Sequence, residues 1–254
     1  MLAARPCYRM VLAYDGTGYH GWQAQPQVAT VQGELDRALG RLTQERPRIL
    51  AAGRTDAGAH AHGQVISFSL STEWLPETLR GACNALLPED ISVLEVGRAD
   101  PAFHPRWQAW RRTYRYLVRE AAVGDPVGRQ YEWRVPVQLE LSPMRAAARL
   151  LLGSHDFAAF GSSPAPGHST VRTVDRAEVE RREGLVGVEI RADAFLRGMM
   201  RNLAGALVAV GSRRVSVSEL ARALSSPCRR GPWLTAPAHG LHQWRVDYRQ
   251  VAQG

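Results

Sequence analysis

The stretch LAAGRTDAGAHAHGQ, residues 50–64, sets one cation and one carboxylate, Arg54 and Asp56, two positions apart among glycines and alanines. An apolar, strand-like run stops at Gly53, and an alternation of polar and apolar residues resumes at Gln64. Gly53 and Gly58 loosen the backbone there, and Ala57 and Ala59 keep the space beside Asp56 small. A carboxylate so placed has room for a ring close to the backbone and can act as a nucleophile or a general base. A Gly-containing turn closed by an Asp, with a surface Arg beside it, would produce the same residues. His60 and His62 follow at once, and with Asp56 they suggest a metal set. Their H-x-H spacing is not the i, i+4 pair of a helical zinc site, and no further ligand is evident, so polar histidines at a strand start are the simpler reading.

Two other stretches carry groups suited to chemistry. RRTYRYLV, residues 111–118, puts Tyr114 and Tyr116 on one face of a strand with Arg111 and Arg115 near them. Aromatics beside cations can stack on nucleic-acid bases, and core tyrosines with solvated arginines fit equally well. FLRGMMRNLAGALVAVG, residues 195–211, is a helix ranging from amphipathic to fully apolar, with Arg201 between Met200 and Leu203. A buried Arg left unpaired costs several kcal/mol, so Arg201 either partners an inward-facing carboxylate or snorkels to the surface. The loop YDGTGYHGWQ lacks phosphate-cradle spacing, and no dinucleotide, P-loop, nucleophile-elbow or H-E-x-x-H motif occurs. His155 and Asp156 in SHDFAAF suit an acid–base pair or a helix-exit turn.

The elements that must position these groups follow from periodicity. Strands are expected at 7–14, 48–52, 64–70 and 91–98, and helices at 30–43 and 76–87. Thr30 caps the first helix, with Val31, Leu35, Ala38, Leu39 and Leu42 on its apolar face; Leu75, Leu79, Ala82 and Leu86 line the second. The order then repeats: strand 111–119, helix 142–152, strands 173–182 and 185–192 turning at Glu183-Gly184, helix 196–210, a short helix 218–224, and a last strand 241–248. Two β-α-β-β-α-β units predict an α+β fold of two ferredoxin-like halves, with antiparallel sheets and helices on one face. Pro101 and Pro105 mark the boundary, giving an N-terminal domain 1–105 with the Asp loop and a C-terminal domain 106–254 with Tyr114 and Arg201. Two such halves side by side make a groove, an apt seat for a nucleic-acid stem.

The formal net charge is +8, and all 32 basic residues are Arg. Composition bias accounts for the missing Lys. The net charge points to an anionic partner, nucleic acid ahead of a membrane surface, because no basic amphipathic helix supports the latter. No run approaches the ~20 apolar residues of a membrane span, and the N-terminus lacks the apolar core of a secretory signal, so a cytoplasmic location is expected. Cys7, Cys83 and Cys228 are widely spaced without a C-x-x-C, which disfavours a disulfide framework or a cysteine zinc site.

Several motifs together resemble one family. GRTDAGAHA is similar to the segment around the catalytic aspartate of the tRNA pseudouridine synthase A family. YDGTGYHGWQAQP, RRTYRY, STVRTV (169–174), FLRGMMRNLAG and TAPAHGL (235–241) resemble further segments of that family, in family order across nearly the whole chain. Ala59 and Met200 stand where the family commonly has Val. The resemblance implies that Asp56 is the catalytic residue, that Arg54 helps displace the target nucleotide, and that Tyr114 stacks on the uracil. It further implies that Arg201 pairs with the aspartate and that Leu241 lines the uracil pocket. It implies an active-site cleft between the halves, a homodimer, the anticodon stem-loop of tRNA as substrate, and neither metal nor organic cofactor. Two other classes remain from the residues alone: a non-catalytic RNA-binding module, although the RNP1 pattern is absent, and a metal-dependent hydrolase built on His60, His62 and Asp56.

Overall fold

A computed structural model describes residues 5–162, 167–226 and 231–249. The architecture is mixed α/β, and the chain divides into two compact units, Met1–Trp110 with Gln243–Gly254, and Arg111–His242.

In the first unit the elements run β1 (Cys7–Tyr14), α1 (Val31–Thr43), β2 (Leu50–Ala51), β3 (His60–Ser69), α2 (Pro76–Leu86) and β4 (Ile91–Ala99). Strand β1 lies antiparallel between β3 and β4, and β2 pairs antiparallel with β3 at Ile66 and Ser67. The side-chain period of two sorts β1 between faces. Tyr8, Met10, Leu12 and Tyr14 are buried with Leu35 and Leu39 of α1 and with Leu79 and Cys83 of α2. Val11 instead joins Ala52, Val65 and Val246 in a second cluster. The Thr30 hydroxyl accepts the Gly33 N–H at 3.2 Å, the N-cap that starts α1. Leu75 is the exception to the periodic reading: it stands at the N-cap of α2 and is 74% exposed, while Cys83 takes the buried place.

The second unit holds β5 (Ala109–Glu120, from Arg111 onward), β6 (Trp133–Val135), α3 (Leu141–Leu150), β7 (Gly153–Asp156), β8 (Val171–Arg182), β9 (Leu185–Ala192), α4 (Met199–Gly211) and α5 (Val217–Ser225). Its strands lie in the order β5-β9-β8-β7, all antiparallel, with β6 parallel beside β5. Helix α4 begins three residues later than its apolar pattern suggests. Arg197 and Ser162 exchange backbone hydrogen bonds, at 3.2 and 3.3 Å, and this bridge keeps 196–198 out of the helix. His155 and Asp156 belong to β7, paired with Arg172 and Val171, so they form a strand rather than a helix-exit turn.

The last strand, β10 (Leu241–Tyr248), contributes Gln243 onward to the first unit. Val246 and Tyr248 pack there with Val11, Ala52, Val65, Phe103 and Ala109. Among the described residues, no helix is long and apolar enough to cross a membrane. Cys7 and Cys83 are buried free thiols, and Cys228 lies outside the described residues. Burial pushes the Cys83 thiol up to about 11.

Candidate active site

Asp56 sits in the connection from β2 to β3, and that loop is held from both sides by its own unit. The Asp56 carbonyl accepts the Ala59 N–H at 3.1 Å, closing the turn. The preceding residue is fixed twice: the Thr55 carbonyl accepts the Trp22 N–H at 3.2 Å, and the Thr55 hydroxyl shares a 2.9 Å hydrogen bond with the Tyr14 hydroxyl. The following Gly58 N–H donates to the Tyr19 carbonyl at 3.2 Å. These partners come from the end of β1 and the YDGTGYHGWQ loop, which lies directly against the Asp loop. A Cβ at Gly16 would overlap the Ala59 carbonyl oxygen, and one at Gly21 would lie 2.7 Å from the Thr55 carbonyl oxygen. Only glycine fits at either place, and Gly21 also has φ +87°. The result is a buried Thr55, a half-buried Asp56 and an exposed Arg54.

His60 and His62 go to different surroundings. His60 is buried, and its Nδ1 lies 3.1 Å from both the Gly16 N–H and Asp15 Oδ1. One nitrogen cannot accept and donate at once, and the tautomer protonated on Nε2 makes the Gly16 bond. His62 is exposed, its ring 4.4 Å from that of Trp244. Among the described residues, no three His, Cys, Asp or Glu side chains are grouped to hold a metal ion.

In the second unit every residue of α4 is buried except Arg201, which is half-buried. Its Nε–H donates to the Ala236 carbonyl at 2.7 Å, and its own carbonyl accepts the Ala236 N–H at 3.2 Å. The next residue, Asn202, donates to the Phe160 carbonyl at 2.8 Å and accepts from the Thr235 hydroxyl at 2.7 Å. A Cβ at Gly205 would overlap the Leu234 carbonyl oxygen. The 234–236 segment thus lies against α4 along successive turns. The segment then passes under Tyr116, whose hydroxyl donates to the Pro237 carbonyl at 2.7 Å, and reaches the buried Leu241. Burial pushes the Tyr116 phenol far above its ordinary value, against the pull of the Arg201 charge. Tyr114 shares that face of β5, is 8% exposed, and meets Phe195 edge-on with centroids 4.7 Å apart.

The arginines around these tyrosines turn the other way. Arg115 donates to Glu189 at 2.5 Å, and Glu189 also lies 3.1 Å from Arg176. Arg111 and Arg191 both bind Asp175. Burial raises the Asp175 carboxyl, but hydrogen bonds and charge from Arg191 and Arg111 outweigh this and hold it below the ordinary carboxylate value.

Comparison with known proteins decides what this arrangement belongs to. The tRNA pseudouridine synthase family model matches residues 10–108 and 147–249, most of the chain. The chain is a member of that family. A tRNA pseudouridine synthase A from Moorella thermoacetica is 42% identical over 96% of this chain and 100% of its own length. Relatives of the same name are 44% identical in Chloroflexus aurantiacus, covering 94% of this chain and 87% of theirs, and 39% identical in Pseudothermotoga lettingae, covering 95% and 99%. Within the family match fall Arg54, Asp56, Arg201 and Leu241, whereas Tyr114 lies between its two segments. The groups that hold the pseudouridine synthase loops were not evident from sequence: Thr55, Gln64, Asn202 and Gly205 make contacts that spacing does not encode. The glycines of YDGTGYHGWQ were the available signal.

Proposed function

We propose that this chain isomerises uridines in the anticodon stem-loop of tRNA to pseudouridine, with Asp56 as the reacting carboxylate. The observation that carries the reading is the placement of Asp56. It is half-buried at the apex of a loop whose neighbours on both sides are anchored, in a chain of the tRNA pseudouridine synthase family. The conversion breaks the bond from N1 of uracil to C1′ of the ribose, turns the base, and joins C5 to C1′. The C5 proton leaves and N1 gains one, so nothing is gained or lost overall and no cofactor is required.

A carboxylate serves this reaction as a nucleophile or as the base that takes a proton. Either role needs the ionised form in a site that excludes water, and a nearby guanidinium favours that form. We assign that task to Arg201, whose orientation is set by its bond to the Ala236 carbonyl. The exposed Arg54 occupies the space left when the nucleotide turns out of the stem, which it must do for its atoms to be reached. Tyr114 gives the extruded uracil a π-face, and Leu241 closes the apolar side of the pocket.

This reading treats the two units as ferredoxin-like halves, each supplying groups to one uridine across a cleft, and the active species as a cytoplasmic homodimer. The β-α-β-β-α-β order of the first unit, with β1 central between β3 and β4, supports the first part. The test is incubation of the purified chain, without added metal, with an unmodified tRNA transcript. Pseudouridine in the anticodon stem-loop supports the reading, and none at all contradicts it.

A further inference from the structure

The loop carrying Arg54 and Asp56 is also tied from below by two buried amides. Gln64, on β3, is fully buried, and its Nε2–H donates to the Gly53 carbonyl at 2.9 Å, immediately before Arg54. Its Oε1 accepts the Val65 N–H at 3.2 Å and the Gln243 Nε2–H at 3.1 Å. These bonds leave neither amide a choice of orientation. The group that Gln64 meets is the Gly53 carbonyl, which can only accept, so the nitrogen of Gln64 must face it. The oxygen of Gln64 then faces Gln243, which must answer with its own nitrogen. Turning Gln243 over would set oxygen against oxygen. Its Oε1 is consequently buried with no hydrogen-bond partner among the described residues. An apolar pair would be less costly at this place. What two amides supply and an apolar pair cannot is a directed bond to the Gly53 backbone.

We infer that Gln64, oriented by Gln243, is a positioning residue that sets the backbone from which Arg54 and Asp56 project. The inference rests on the reading of Asp56 as the reacting carboxylate. Without the Gly53 bond the chain between Ala52 and Thr55 has one anchor fewer, and displacement of a reacting group by about 1 Å costs on the order of 10²-fold in rate. The effect therefore falls on kcat, while RNA binding through phosphate contacts is spared.

The experiment measures kcat, KM, RNA affinity and pH dependence of pseudouridine formation for wild type, Gln64→Leu, Gln64→Glu and Asp56→Asn. Gln64→Leu is expected to lose roughly 10- to 100-fold in kcat with RNA affinity changed less than about twofold. Gln64→Glu is nearly isosteric and supplies a pH signature. Its neutral carboxyl can donate to the Gly53 carbonyl, but its carboxylate sets acceptor against acceptor. Its kcat should stand near wild type at low pH and fall as the new carboxyl ionises, a descending limb absent from wild type. The inference is overturned by wild-type kcat in Gln64→Leu, or by superimposable pH profiles of Gln64→Glu and wild type. Where Gln64→Leu does not fold, the pH profile of Gln64→Glu decides. An inactive wild type, or an active Asp56→Asn, instead contradicts the functional reading itself.

Discussion

Gly16 and Ala59 approach each other so closely that a Cβ added at Gly16 would lie 1.9 Å from the Ala59 carbonyl oxygen. The contact joins the end of the first strand to the far side of the Asp56 turn. Gly16→Ala should destabilise the protein by about 1–3 kcal/mol and lower kcat beyond what the lost stability explains. Gly18 lies two residues away, where an added Cβ meets nothing within 4 Å. Gly18→Ala should stay within about 0.5 kcal/mol of wild type. Urea unfolding and initial rates on the pair test this, and equal behaviour of the two variants would contradict it.

Arg201 is the only residue of α4 that is not buried, and it is bonded both ways to Ala236. Arg201→Met should lower kcat/KM by 100-fold or more, with a loss of stability of about 1–3 kcal/mol from the bond to the Ala236 carbonyl. Arg201→Lys keeps the charge without the fixed plane and should fall between. If Arg201 supports the ionised carboxylate, the loss in Arg201→Met falls on kcat while tRNA affinity stays within about threefold of wild type. Wild-type kcat with the whole loss carried by affinity would contradict that role.

Asp175 offers a check on the second unit that is separate from catalysis. Its folded-state pKa lies below the ordinary value because Arg111 and Arg191 both bind it, against the effect of burial. Its stabilising contribution is therefore complete above the unfolded carboxylate pKa of about 4 and is lost as pH falls through the folded value. Asp175→Asn should lower the urea midpoint at pH 7, and the gap from wild type should narrow progressively as pH falls below the unfolded carboxylate value. A gap that persists or widens in acid would contradict the ion-pair account.

Much of the fold was legible, because alternation and capping act locally. Strands 7–14 and 241–248 were bounded by periodicity, and Thr30 marked the start of α1 through a bond to a residue three positions on. The short β6 was not foreseen, since three residues carry no period and the strand depends on pairing with Val118–Glu120. The candidate site divides the same way. Arg54, Asp56 and Arg201 were conspicuous as charges in apolar company. The groups that hold them were not, because their partners are distant: Gln64 meets a side chain 179 positions away, and Asn202 meets a carbonyl 42 positions away. The sequence left the arginines near Tyr114 open for the same reason: strand alternation sends Arg111 and Arg115 to the opposite face, where carboxylates of β8 and β9 await them.

That pairing limits how many of the 32 arginines meet RNA. The logarithm of tRNA affinity should fall linearly with the logarithm of salt concentration, with a slope of about −3 to −7 rather than one scaled to the full basic count. Arg115→Gln removes a cation already engaged by Glu189 and should leave that slope unchanged within about 0.5. Filter binding across a salt series measures both, and a flat response would mean that phosphates are not the main contact.

The central claim is that the Asp56 carboxylate performs the reaction, and pseudouridine mapping along an unmodified tRNA transcript tests it most directly. Wild type should modify uridines of the anticodon stem-loop. Asp56→Ala and Asp56→Asn should modify none while binding the transcript with affinity within about threefold of wild type. Pseudouridine formed by Asp56→Asn at the wild-type rate would contradict the account.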